Sequence, residues 1–430
     1  MSQYFNQLFN SIWKYISTRQ ALGLFIVVLL ILVSVLTVNV LIALHIVRNE
    51  ADIEGPAENK PKKRGKSKNG PRFNMLNRID EEYQTYKHHE PKYDDSITLE
   101  DFCERFRNFA AGQLHLYYSI DDIRRFVTGL GVSKLMILQG MSGTGKTSLA
   151  YAMGQFLQND STVVPVQPMW KERSDMIGYF NEFTKRFNET NMLRKMYEAG
   201  YYPMMYITIL DEVNISRVEY YFAEFLSLLE LPDENKRYLD VVSDVWRNDP
   251  KMLKNGQIRL PANMWFIGTA NNDDSTFAIS DKVYDRAMII NLENKCEPFE
   301  APETEAVNIS YTHFTKLIED AKKAYAMSDA NDKKVASLDR FLIDRFHLSF
   351  GNRIMRQMHD YVPIYMACGG SELDAIDDIL CKKVLRKLEA QNPTYVRNSV
   401  DDLVKRINEL FGEDAMPQCR AYLARLKQGT

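Results

Sequence analysis

The sequence has little that would support chemistry of a cysteine, zinc or serine-hydrolase kind. Its five cysteines (Cys103, Cys296, Cys368, Cys381 and Cys419) are scattered, with no CxxC pair and no zinc-ligand spacing. That pattern suits free thiols in a reducing compartment and excludes a disulfide scaffold. No GxSxG and no HExxH occurs, which removes the common hydrolase and metalloprotease signatures. One-sided charge is also missing. A formal net charge of −3 over 430 residues gives no basic field of the kind that holds nucleic acid. What remains is ordinary globular usage, 45% hydrophobic and 26% charged, in a chain long enough for two or three domains.

The sharpest compositional break lies near the start. From Ala21 to Val47 there is no charged side chain, and Leu, Ile and Val dominate. At ~1.5 Å per helical residue this run reaches roughly 40 Å, enough to cross a hydrocarbon core of about 30 Å with some tilt. It is too long for a signal-peptide core and ends at Val47-Arg48 without a small-residue cleavage site. A transmembrane helix over residues 21–47 is therefore expected, after a short N-terminal segment 1–20. Beyond it come Arg48, Lys60, Lys62, Lys63, Arg64, Lys66, Lys68 and Arg72, against only Lys14 and Arg19 before it. Positive flanks stay cytoplasmic, so the bulk of the chain is expected in the cytosol and the N-terminus outside. A single-pass protein of a bacterial inner membrane fits this pattern. Residues 48–96, polar and basic, read as a linker, with the basic run Lys60–Lys68 as a topogenic, lipid-facing patch.

A short apolar strand, Lys134 to Gln139, runs directly into Gly140-Met141-Ser142-Gly143-Thr144-Gly145-Lys146-Thr147-Ser148. This is the phosphate-cradling pattern GxxxxGK[ST]. Gly140, Ser142, Gly143, Thr144 and Gly145 turn backbone N–H groups toward phosphate oxygens, and Lys146 reaches the outer phosphates. Thr147 ligates Mg²⁺, and Ser148 opens the helix whose positive end faces the anion. About 65 residues on, the apolar run from Met204 to Leu210 ends in Asp211-Glu212. Asp211 suits the metal shell, and Glu212 suits orienting and polarising an attacking water. Strands are also expected at residues 162–166, 264–269 and 288–292, which makes five parallel strands with helices between them. The implied architecture is a doubly wound α/β domain over residues 97–295. Ligand groups then gather at the strand C-terminal ends, where Lys146, Asp211, Glu212 and Asn271 all fall. From residue 296 to 430 the periodicity is helical throughout, an all-α lid domain.

Taken together these stretches resemble the AAA+ ATPases related to McrB, within the dynein-related group. The resemblance covers roughly residues 120–365. Four segments carry it: GMSGTGKTS, VPVQPMWKERSDMIGYFNEFTKRF from Val164, LDEVNISRVEYYFAEFLSLLE from Leu210, and GTANNDDSTFAISDKVYDRAMII from Gly268. The resemblance implies that Asn271 is the sensor 1 residue and that Asn214 lies near the nucleotide. Arg286 would be the arginine finger that reaches a neighbouring subunit's nucleotide. Arg353 is the sensor 2 candidate on the lid, with Arg356 in competition. Trp170 and Tyr179 are expected to pack, and Tyr118 and Ile120 to border the base. The family implies ATP and Mg²⁺ as cofactors, a ring of identical subunits such as a hexamer, and a protein effector. The chain departs from McrB in having a membrane segment where a DNA-reading domain would stand, and in the sensor sequence Ala270-Asn271-Asn272-Asp273-Asp274. Neither GTP use nor direct DNA binding is carried over for that reason. A nucleotide-gated membrane scaffold with negligible turnover and a GTP-driven restriction motor stay open as alternatives.

Overall fold

The computed structural model of the chain describes residues 70–86, 92–271, 276–293 and 295–428. The expected membrane span, residues 21–47, lies outside them. Among the described residues no helix is long and apolar enough to cross a membrane.

In chain order the first elements are α1 (Met75–Tyr86), α2 (Leu99–Leu114), α3 (Ile120–Val132), β1 (Leu135–Gly140), α4 (Lys146–Phe156) and β2 (Thr162–Pro165). Next come α5 (Ser174–Ile177), β3 (Gly178–Asn181), β4 (Arg186–Glu189), α6 (Asn191–Ala199) and β5 (Tyr206–Asp211). Then follow α7 (Val218–Tyr221), α8 (Ala223–Leu229), β6 (Tyr238–Asp240), β7 (Gln257–Arg259), β8 (Met264–Asn271), α9 (Asp281–Tyr284) and β9 (Met288–Asn291). The remainder is helical: α10 (Tyr311–Ala324), α11 (Asp329–Phe346), α12 (Gly351–Ala367), α13 (Glu372–Ile379), α14 (Pro393–Phe411) and α15 (Pro417–Gln428). Between α13 and α14 the chain winds through a π turn, Leu380–Val384, and a 3₁₀ stretch, Leu385–Ala390.

The main sheet has five strands in the order β2-β5-β8-β1-β9, and every pairing in it is parallel. This is the doubly wound α/β sheet expected from the sequence. Its strands read as unbroken apolar runs because helices cover both faces; in β1, Leu135 to Leu138 are all buried. The chain leaves β1 toward β2 on one side and returns to β9 on the other. The strand order therefore reverses at β1, and the crevice beyond its C-terminal end is where ligands bind in such sheets. Two hairpins, β3-β4 and β6-β7, are additions that periodicity did not reveal, since each strand has only three or four residues.

The C-terminal helices do form the expected all-α region. They share one continuous core with the first helices: Phe102, Phe106, Phe126 and Phe156 pack into the same cluster as Leu338, Tyr361 and Leu403. A second core lies on the other side of the sheet and includes Phe73, Leu76 and Ile79.

Those last three residues correct the reading of residues 48–96 as a linker throughout. Residues 72–86 belong to the folded domain. Arg72 is fully buried; its Nε and Nη2 donate to the two carboxylate oxygens of Asp249, each at 2.8 Å, and its Nη1 to Asp244 at 2.7 Å. The guanidinium also lies over the Trp246 ring, 4.6 Å from its centre. The Glu189 carboxylate accepts from the backbone N–H groups of Asn74, Met75 and Leu76, capping α1 from a distant part of the chain. Arg72, counted from the sequence among the positive flank, thus serves as a structural anchor. Composition hides this, because α1 is mostly polar and its partners lie more than 100 residues away.

Candidate nucleotide site

The phosphate loop begins where β1 ends. Gly140 has φ of +151°, and a Cβ there would meet the Leu292 carbonyl oxygen at 2.3 Å. Only glycine lets β1 and the chain after β9 approach so closely. Gly145 has φ of +88° and sits under Tyr118, whose hydroxyl donates to the Gly145 carbonyl at 2.9 Å. The residue expected near the base thus packs on the phosphate loop, while Ile120 opens α3. Ser142 and Thr144 stand in the loop, where the Thr144 hydroxyl donates to the Met141 carbonyl. Gly143 is in open space with φ of +79°. Thr147 and Ser148 lie in the first turn of α4.

Lys146 is buried, and its Nζ donates to the carbonyls of Gly140 at 3.0 Å and Met141 at 2.7 Å. The ammonium is therefore held over the loop, beside the place where phosphates would enter.

The metal-side groups converge at the end of β5. The Thr147 hydroxyl donates to Asp211 Oδ1 at 2.8 Å, so the two side chains expected to ligate Mg²⁺ already meet. The Thr269 hydroxyl also donates to that oxygen, at 2.8 Å, and accepts from the Glu212 backbone N–H at 2.9 Å. Glu212 itself is left-handed, with φ of +56° and ψ of +51°. Such a backbone is costly for a side chain of this kind and is characteristic of functional turns. Thr269 holds it there. This threonine was not singled out from the sequence; a hydroxyl inside an otherwise apolar strand, two residues before Asn271, was the available signal.

Asn271 ends β8 in register with Gly140, directly beside the phosphate loop. Asn214 ties this region together, its side-chain amide donating to the Asn271 carbonyl at 2.8 Å and to the Thr276 hydroxyl at 2.9 Å. Its role in the structure is to fasten the turn after β5 to the turn after β8. Trp170 packs edge-on against Tyr221, as expected, whereas Tyr179 is half exposed on the β3-β4 hairpin and does not serve as a core residue.

Arg286 and Arg353 lie elsewhere. Met288 is level with Met136, and the Arg286 carbonyl accepts from the Ser133 hydroxyl at 3.0 Å. Arg286 is thus at the foot of β1, while the phosphate loop is at its head. At ~3.3 Å per residue the separation along the strand is about 20 Å. Its guanidinium donates to Glu230 at 2.5 Å, and Arg353 bonds the other oxygen of the same carboxylate. Arg356 lines the same cleft. Arg353, the sensor 2 candidate, therefore lies away from the phosphate loop of its own chain. The other candidates, Lys146, Thr147, Asp211, Glu212 and Asn271, are brought together.

At the Arg286 end of the sheet, lysine burial is pronounced at two places. Lys134 packs over the Trp265 ring, and burial pushes its amine down to about 7. Lys383 is fully buried and is likewise pushed down to about 7 by burial.

The arrangement is that of a phosphate loop with a metal-side carboxylate, a strained glutamate and a polar strand end, all at the reversal point of a parallel sheet. Its donor set fits a nucleoside triphosphate with Mg²⁺. Residues 135–287, about a third of the chain, match the family model described as AAA domain (dynein-related subfamily). No curated protein matches the sequence. Among solved structures, a candidate ATPase from Cytophaga hutchinsonii ATCC 33406 has a TM-score of 0.47 at 13% identity, over 78% of this chain and 99% of its own. A full-length MCM homolog from Methanopyrus kandleri has a TM-score of 0.36 at 10% identity, over 71% of this chain and 62% of its own. The segment carrying the phosphate loop, Asp211 and Glu212 is similar to an AAA domain, and the match supports NTP hydrolysis at this site.

Proposed function

We propose that the chain is a membrane-tethered, McrB-related ATPase that hydrolyses ATP in a ring of identical subunits, a hexamer, and passes the resulting movement to a protein effector at the cytosolic face of a bacterial inner membrane. The observation that carries the ring is the position of Arg286. It stands at the opposite end of the sheet from its own phosphate loop, yet presents a guanidinium to a cleft where a neighbour could dock. A finger supplied in trans contributes 10³–10⁵ in rate. The Glu230 carboxylate held against Arg286 and Arg353 occupies them within one subunit.

The division of labour follows from the geometry. Lys146 neutralises charge on the outer phosphates, and Thr147 with Asp211 would hold Mg²⁺, which lowers the charge the attacking oxygen must approach. Glu212 orients the water and draws its proton, with Asn271 fixing that water from the adjacent strand. Arg353 acts beside Arg286 on the neighbouring site. ATP is favoured over GTP because the sensor sequence departs from McrB. The membrane tether rests on residues 21–47 and their basic flank.

The test is hydrolysis by the detergent-solubilised full chain with ATP and GTP in parallel, across protein concentration. Specific activity should rise cooperatively with concentration and collapse in Glu212→Gln and Arg286→Ala. A rate per subunit that is independent of concentration would overturn the ring. Nucleotide binding with no turnover under any condition would favour the silent scaffold instead.

A further inference from the structure

The turn that carries Arg286 is held by the lid through its main chain. Lys383, in the π turn Leu380–Val384, donates from Nζ to the Tyr284 carbonyl at 2.6 Å and also to the Ala287 carbonyl. Gln357 of α12 donates to the Asp285 carbonyl at 3.3 Å, and Ser133 takes the Arg286 carbonyl. All four consecutive carbonyls from Tyr284 to Ala287 are thereby fixed, three of them by lid side chains. The Tyr284 side chain links the same turn to the nucleotide end of the sheet. Its hydroxyl accepts from Gln139, the residue before Gly140, and the Arg386 guanidinium lies over its ring at 3.7 Å from the centre.

A lysine in this place is costly. It is 3% exposed, makes no ion pair among the described residues, and directs its amino group to backbone oxygens. Unpaired buried ammonium groups are strongly disfavoured, and a single-turn π bulge is itself an uncommon device that recurs at functional sites. An apolar side chain would fill the volume but leave two carbonyls without donors.

We infer that Lys383 is the positioning residue that couples the lid of one subunit to the arginine finger it presents to the next. The inference rests on the reading of Arg286 as a finger in trans. Lys383 touches no substrate. It fixes the main chain on both sides of Arg286, so a lid that shifts with its own nucleotide shifts the finger with it. A misplacement of ~1 Å at such a group can cost on the order of 10²-fold in rate.

The experiment uses mixed rings of the full chain, solubilised in detergent. Glu212→Gln subunits keep the finger but not their own site. Arg286→Ala subunits keep the site but lack the finger. Mixing the two should restore ATP hydrolysis, with the first as donor and the second as acceptor. Lys383→Met is then added to one partner at a time. The expected result is a loss at least ~10-fold larger on the donor side than on the acceptor side, seen in kcat and not in the KM for ATP. Gln357→Leu, which removes one hydrogen bond and leaves Lys383 in place, should show the same asymmetry to a smaller extent and serves if Lys383→Met does not fold. Equal losses on both sides would make the clamp purely structural and overturn the inference alone. If the parental mixture regains no activity, the finger does not act in trans, and both readings fall.

Discussion

Arg286 and Arg353, 67 positions apart in sequence, share the two oxygens of one carboxylate, Glu230. Arg286 comes from the turn before β9 and Arg353 from the first turn of α12. A carboxylate between two guanidinium groups presents much the same charge and fork geometry as a terminal phosphate would. In the proposed ring, Glu230 would compete intramolecularly for the groups that a neighbouring subunit's nucleotide uses.

Glu230→Gln should consequently favour assembly into the active ring. The pair is partly exposed, the Arg353 side chain at 39%, so the contribution of each contact is set at the surface value of up to about 1 kcal/mol. The protein concentration giving half-maximal ATPase activity should fall by up to about 5-fold, with little change in activity at saturation. An unchanged or higher midpoint would show that Glu230 does not restrain the arginines.

Thr269 gives a prediction at the other end of the sheet. Its hydroxyl both donates to Asp211 and accepts from the N–H of the left-handed Glu212. Thr269→Val keeps the shape and removes both bonds. Nucleotide affinity should change little, because no phosphate contact is lost. Turnover should fall by about 10- to 100-fold as Glu212 leaves its position, and the Mg²⁺ concentration needed for half-activity should rise. A variant that loses nucleotide binding but not kcat would assign Thr269 to the phosphate loop instead.

The two ends of the sheet differ in how far the sequence reveals them, for a physical reason. The residues Gly140 to Thr147 and Asp211-Glu212 are contiguous stretches whose spacing is imposed by backbone geometry around phosphate, so the pattern is visible in one dimension. The five apolar runs were visible for a similar reason, since strands buried on both faces have no polar interruptions. Glu230, Thr269 and Lys383 act through partners between 56 and 123 residues away or through main-chain carbonyls, and no local pattern encodes such a pairing. The docking of Arg353 on Glu230 is not legible, because periodicity reveals its helix but not the partner that the helix meets. Arg72 went unnoticed because, read as composition, it is one more positive charge at the end of a basic run.

That arginine carries a stability prediction. Arg72→Ala would leave Asp249, whose side chain is 6% exposed, without its bidentate partner. Removing one member of such a buried pair costs about 3–5 kcal/mol. Burial works against the Arg72 charge, but the bonds to Asp249 and Asp244 outweigh it and hold its pKa above the ordinary value. The midpoint of urea unfolding should drop accordingly, and proteolysis should begin near α1. Arg72→Met with Asp249→Leu should recover much of the loss, since apolar replacements of both partners remove the stranded charge. A single variant as stable as wild type would mean that the segment before α1 contributes nothing to the fold.

Lys383 adds a dependence on pH whose sign can be worked out. Burial lowers its amine to about 7 in the folded chain, with Asp285 favouring the charge and Arg386, Arg353 and Lys387 opposing it. In the unfolded chain the same amine titrates near 10.4. Between these two values the unfolded state binds one more proton than the folded state, so stability rises with pH across that window. The slope from this one group is at most about 1.4 kcal/mol per pH unit. Below about 7 both states are protonated and the contribution is flat. Comparing wild type with Lys383→Met by urea unfolding from pH 6 to 10 isolates it: the difference in stability should be constant at the acid end and shift in favour of wild type above pH 7. A difference that stays constant across the whole range would mean that the amine keeps its charge in the folded chain. The carbonyls of Tyr284 and Ala287 would then be bound to an ammonium at every working pH, and the hold on the Arg286 turn would not weaken in mild alkali.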